Sequence, residues 1–289
     1  MPKAPSDKMQ PVQQTAPSAS ASKTGSALPN ALGNLAQWSL VLGRAPRART
    51  PRPLIGAIAA IILALIATVA SMFLIDTVAG DWARHLPRWF TDAFERITDF
   101  GLSGWFLFPF GFILLCLAAV TSPALPRLSQ GVLAMLAARV GFLFLAIAVP
   151  GLFVTIVKRL IGRARPYVGN HDDPFVYRPF IWRSEYASMP SGHATTAAAA
   201  AIAIGAIWPR TRWVMWLYAL LIMFSRVVVL AHHPSDVIAG ALVGVVGALL
   251  VRRWFAARRI VFCAHDLQAY PGPSLKRIKA VARQVAFGS

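Results

Sequence analysis

The sequence predicts an all-α membrane protein, a six-transmembrane-helix bundle with N- and C-termini cytoplasmic. Three observations predict it. Of the 289 residues, 56% are hydrophobic and the mean hydropathy is +0.56, more apolar than an ordinary soluble domain. The apolar residues are bunched into uninterrupted runs that can cross a hydrocarbon layer of about 30 Å as helices. The basic residues are shared unequally between alternate loops, the pattern that sets orientation in a bilayer.

The elements follow in order. Residues 1–52 are rich in Ala, Ser, Pro and Gln and hold no sustained apolar period, so they read as a disordered basic cytoplasmic tail. They do not read as a cleaved signal peptide, because the apolar run behind them is longer than a typical h-region and starts after residue 50. Residues 53–255 form the membrane domain. Its predicted spans lie near 54–75, 102–121, 140–157, 194–208, 213–231 and 237–251. The fourth is the shortest; Pro190 and Ser191 extend it, since proline is tolerated in a first helical turn where its missing N–H would go unpaired anyway. Residues 256–289 form a second basic cytoplasmic tail. Cys116 falls in a span and Cys263 in that tail, so no disulfide or zinc pattern is present.

A net charge of +18 can signal nucleic acid, but its placement argues otherwise. With the N-terminus inside, 19 Lys/Arg fall on the inner side and nine on the outer, with Arg226 inside a span. Positive-inside bias and attraction to anionic lipid account for the basic tails without nucleic acid. Nine of the 11 acidic residues fall on the outer side or at Asp236, and the sequence gives no reason for that bias.

Three clusters carry the chemistry: Lys158 with Arg165-Pro166, then Pro190-Ser191-Gly192-His193, then Ser225-Arg226 with His232 and Asp236. All three fall at the outer ends of predicted spans. Lys158 and Arg165 are seven apart, which on a continuous helix would aim them the same way, although Gly162 and Pro166 weaken that reading. Pro190 to Gly192 open a helix, whose unpaired N–H groups favour a bound anion. Pro234 starts the sixth helix and puts Asp236 in its first turn, within reach of His232. An arginine within a span is expensive, which makes Arg226 a functional-site candidate without any motif. Fixed cations beside two histidines and a carboxylate suit phosphate chemistry.

Read as Lys-x6-Arg-Pro, Pro-Ser-Gly-His and Ser-Arg-x5-His-x3-Asp, the clusters resemble the type 2 phosphatidic acid phosphatase family, related to the vanadium haloperoxidases. The match spans residues 158–236 with no departure at any motif position. The resemblance implies residue roles. Lys158, Arg165 and Arg226 neutralise the phosphate oxygens, and the Ser191 hydroxyl and Gly192 N–H add donors. His232 is the nucleophile, Asp236 holds its tautomer, and His193 protonates the leaving oxygen and later activates water. Together with the site's position at the membrane interface it implies a lipid phosphate or diphosphate substrate; no cofactor and no metal are expected, and no obligate protein partner is inferred. Undecaprenyl diphosphate, phosphatidate, phosphatidylglycerophosphate and a lipid A phosphate all stay open as substrates, and no residue pattern selects among them.

Plainer readings stand beside these. Arg159 and Arg163 read as charges snorkelling at a helix end, and His233, claimed by no motif position, reads as structural. A metal site built from His193, His232, His233 and Asp236 is opposed by three nearby cations. A non-catalytic lipid-phosphate binder would need only the cations, and a soluble haloperoxidase conflicts with six spans.

Overall fold

The computed structural model describes residues 27–51, 55–168 and 173–287. The described residues form helices and loops, with two isolated β-bridges, Arg163 to Tyr177 and Phe262 to Ala269. The helices are α1 Ala27–Gly43, α2 Ile55–Leu74, α3 Asp76–Arg84, α4 Arg88–Asp99, α5 Gly104–Val120, α6 Arg127–Ile161, α7 Gly192–Ile207, α8 Arg212–Val228, α9 Pro234–Ala257 and α10 Leu275–Phe287. Five helical segments are long and apolar enough to cross a membrane: Ile55–Leu74, Arg88–Val120, Arg127–Ile161, Pro209–Val228 and Pro234–Ala257. The protein is therefore a multi-pass membrane protein.

The fourth expected span is α7, 16 residues long, or about 24 Å at 1.5 Å per residue. It is the centre of the bundle, packed against α6, α8 and α9. From Ala194 to Ala201 every residue is buried, so α7 meets protein on all sides and lipid does not set its length. Its small side chains let neighbours come close. Gly240 and Gly244 of α9 face the backbone of α7, and a Cβ on either would collide with the carbonyl of Ser191 or Thr195. This is the small-residue helix packing expected where burial against lipid gives little drive. Thr195 Oγ1 donates to Gly240 O at 2.9 Å and ties the two helices at their starts.

At the far end of α7, Phe142 of α6 packs edge-on against Phe255 of α9 and Phe262, with centroids 5.5 and 4.6 Å apart. Apolar side chains stay exposed around the outside, among them Ile55 and Leu63 on α2, Phe108 and Phe112 on α5, and Trp213 and Leu217 on α8. A belt of that size is a lipid-facing surface.

Several boundaries differ from the sequence reading. The third span lies within a helix of 35 residues, about 52 Å long, which continues well past the apolar stretch. Residues 76–99, expected as a connection, form α3 and α4. The first tail holds α1, whose Asn34 donates through Nδ2 to Ala118 O and Thr121 O at the end of α5. The N–H groups of Arg47 and Ala48 then bond the Ala257 carbonyl at the end of α9. The second tail holds α10, which seats Val281 against Val132 and Leu133 of α6. Both tails look polar because only a few of their residues make these contacts, too few to show as a period. Residues 1–26 lie outside the described residues. Cys116 and Cys263 are free thiols.

Candidate active site

Helix α6 stops where it does because of Gly162. That residue takes φ +64°, the left-handed cap that glycine adopts without a Cβ penalty, and its N–H bonds Lys158 O. A Cβ there would also strike the Arg178 carbonyl. Lys158 therefore sits in the last turn of α6 and Arg165 lies beyond it on the loop, so the two do not share a helix face as the continuous-helix reading would have it. The loop is held by its backbone: Ala164 N–H to Val176 O, Arg165 N–H to Glu185 O and Ser188 N–H to Arg163 O, at 2.9, 2.9 and 3.1 Å.

Ser191 immediately precedes α7, without a side-chain capping bond, and Gly192 is the first residue of the helix. The Ser191 N–H donates to Asp236 O at 2.9 Å, which locks the second cluster to the third. After α8 the chain turns back on itself, and the N–H groups of Ala231 and His232 both donate to the Arg226 carbonyl, at 3.1 and 3.2 Å. Lys158, Gly192 and His193 line a cavity of about 400 Å³ with Gly101 and Thr196. Arg226 lines another of about 600 Å³ with Asp92, Glu95 and Asp99 of α4, and its Nη1 donates to Thr98 Oγ1 at 2.5 Å. Lys158, Arg165, Arg226 and His232 all lie close enough to His193 to influence it electrostatically. All eight residues singled out in the sequence thus gather at one end of the bundle.

Three of them carry buried donors without a hydrogen-bond partner among the described residues: Arg165 Nε, Ser191 Oγ and Arg226 Nε. A buried unpaired donor costs stability, and three such donors in one place, on two cations and a helix start, suit a multiply charged anion. Among the described residues no three His, Cys, Asp or Glu side chains gather as a metal-ligand set.

Arg163 is the residue the sequence reading missed. Its place at a helix end reads in sequence as a snorkelling charge, yet its side chain has no solvent access. Nε donates to Pro174 O at 3.0 Å, Nη1 to Ser235 Oγ and to Asp236 Oδ1 at 2.6 Å each, and Nη2 to Asp76 Oδ2 at 2.8 Å. Burial opposes its charge, but the carboxylates of Asp236 and Asp76 outweigh burial and hold the guanidinium above its ordinary range. Asp76, at the start of α3, also accepts from Ser71 Oγ, Ser235 N–H and Ser235 Oγ. One of the outer-side acids left unexplained by the sequence is thus a buried counter-ion.

The contact expected between His232 and Asp236 differs as well. His232 Nδ1 stands 3.8 Å from Asp236 Oδ2, beyond hydrogen-bond reach. Oδ2 accepts instead from Ser188 Oγ at 2.6 Å and from the His233 N–H at 2.9 Å, and Ser188 Oγ lies 3.5 Å from His232 Nδ1. Burial pushes the His232 imidazole down to about 4, against the opposing pull of Asp236 and with Arg226 and Arg165 adding to the drop.

Comparison with known proteins places the chain in a family. The PAP2 superfamily model matches residues 139–260. A lipid A 1-phosphatase of Rhizobium johnstonii is 33% identical over 205 residues, covering 71% of this chain and 83% of the relative. A lipid A 1-phosphatase of Rhizobium etli is 32% identical over 205 residues, covering 71% and 87%. A transmembrane PAP2-type phosphatidylglycerolphosphate phosphatase of Bacillus subtilis superposes with a TM-score of 0.46 at 19% identity, over 66% of this chain and 94% of that one. The chain belongs to the PAP2 superfamily, and it is a membrane phosphatase.

Proposed function

We propose that this protein removes a phosphate from a lipid at the outer face of the inner membrane, through a phosphohistidine on His232, without a metal. The observation that carries it is the set of buried donors of Arg165, Ser191 and Arg226 left unpaired around two histidines. The His232 Nε2 lone pair attacks phosphorus. A P–N bond forms as the P–O bond to the lipid breaks, and protonated His193 gives its proton to the departing oxygen. His193, now neutral, takes a proton from water, whose oxygen attacks phosphorus and breaks the P–N bond. Inorganic phosphate leaves and His232 is restored. Lys158, Arg165 and Arg226 neutralise charge on the equatorial oxygens throughout.

Six spans with both termini cytoplasmic, α7 counted as the buried fourth, put this site on the outer face. The positive-inside bias supports that orientation. A reporter joined after Ser289 is expected inside, and one found outside reverses the assignment. The substrate we propose is the 1-phosphate of lipid A, supported by two curated relatives of that activity at 33% and 32% identity. Phosphate release across purified lipid phosphates, with and without chelator, tests it. Lipid A is expected to react fastest, and equal rates on undecaprenyl diphosphate or phosphatidate would withdraw the preference. A non-catalytic binder is the competing class. His232→Gln separates them: no labelled protein adduct and no phosphate release are expected, and unchanged turnover would remove the enzyme mechanism.

A further inference from the structure

We propose that Ser188 is a positioning residue for the nucleophile, its hydroxyl carrying the link between Asp236 and His232 Nδ1 that the two do not make directly. The proposal rests on reading His232 as the nucleophile.

Asp236 is not free to close its 3.8 Å gap to His232. Its Oδ1 is held by Arg163, its Oδ2 by the His233 N–H, and its side chain has no solvent access. Ser188 is as firmly placed. It is fully buried, and its N–H is bonded to the Arg163 carbonyl. One loop thus fixes both the hydroxyl and the guanidinium that grips the carboxylate.

Proton inventory then decides the tautomer. A serine hydroxyl has one hydrogen and two lone pairs. The 2.6 Å bond to Asp236 Oδ2 uses the hydrogen, so toward His232 the oxygen can only accept. The proton of neutral His232 therefore sits on Nδ1, and the lone pair sits on Nε2, where phosphorus is attacked. A hydroxyl polarised by a carboxylate is a better acceptor than a free one. As Nε2 bonds phosphorus the ring gains positive charge, its Nδ1 proton stays in place, and the 3.5 Å contact to Ser188 tightens, as catalytic hydrogen bonds do on approach to the transition state.

The test uses the full-length protein in detergent or liposomes. Ser188→Ala is expected to lower kcat about 100-fold, the size of a nucleophile mis-set by about 1 Å, with KM unchanged. Ser188→Thr, which keeps the hydroxyl, is expected to recover most of the rate. In an Asp236→Asn background Ser188→Ala is expected to add no further loss, because both act through one link. Ring-nitrogen NMR is expected to show the Nδ1-protonated tautomer in the parent and a mixture in Ser188→Ala. Should Ser188→Ala fail to insert, Ser188→Cys, a weaker donor and acceptor, carries the same comparison. Full turnover by the hydroxyl-free variant, or losses that multiply with Asp236→Asn, overturns the role of Ser188. If His232→Ala also turns over, the nucleophile assignment falls instead, and an inactive His232→Ala confines the failure to Ser188.

Discussion

Arg163 Nη1 and Asp236 Oδ1 lie 2.6 Å apart with no solvent access to either side chain. The pair is one edge of a network that also holds Asp76, Ser71 and Ser235, and it keeps the site carboxylate in place. One guanidinium faces two carboxylates, so the cluster carries a net negative charge close to His232.

Removing one member of that network strands buried charge. Arg163→Met is expected to destabilise the protein by about 3–5 kcal/mol, the usual cost of breaking a buried ion pair, and to abolish phosphate release. Asp76→Asn keeps the shape and leaves Arg163 one carboxylate, so a smaller loss is expected. Thermal unfolding in detergent alongside turnover checks both. An Arg163→Met protein as stable and active as the parent would show the network to be idle.

His232 gives a pH dependence with a definite sign. Its folded value, about 4, lies below the ordinary 6.5. Between these values the unfolded chain binds more protons than the folded one, so stability rises with pH. The contribution is complete above 6.5 and is lost as pH falls toward 4. The acid limb of kcat/KM is likewise expected below the ordinary histidine range, because His232 stays neutral and nucleophilic there. An acid limb of the parent enzyme centred near 6.5, the ordinary histidine value, would contradict this.

Gly162→Ala combines a left-handed φ, costing roughly 1–2 kcal/mol for a residue with a Cβ, with a collision against the Arg178 carbonyl. The loop that places Arg163, Arg165 and Ser188 begins at this residue. The expected result is a lower melting temperature together with lost activity, measured on the same preparation.

Arg226→Lys keeps the charge and loses the planar fork. With Nη1 on Thr98 and Nε buried without a partner, the guanidinium is aimed, and an ammonium cannot reproduce its geometry. A fall in kcat of about 100-fold is expected, comparable to losing one oxyanion donor. A lysine variant with the parent rate would mean that charge alone suffices.

Much of this was legible before any coordinates. Long apolar runs require helices in a bilayer because no other open structure pairs its backbone there, and all six runs are helical. The motif residues announced themselves by spacing, and Arg226 by its cost inside a span. Helices α1 and α10 were not legible, since a few contacts such as Asn34 to Ala118 O and Thr121 O leave no period in the sequence.

The sequence by itself determined the apolar helices, the cations and the histidines, because hydrophobicity and charge type are properties of each residue alone. Only the tertiary structure decided which arginine is buried and which hydroxyl stands between Asp236 and His232. Arg163 at a helix end reads like any snorkelling charge until Asp76, 87 residues away, is folded against it. Ser188 is one small polar residue among several until the loop lays it 2.6 Å from the carboxylate. Pairing depends on a partner's position, and position is set by how the helices pack.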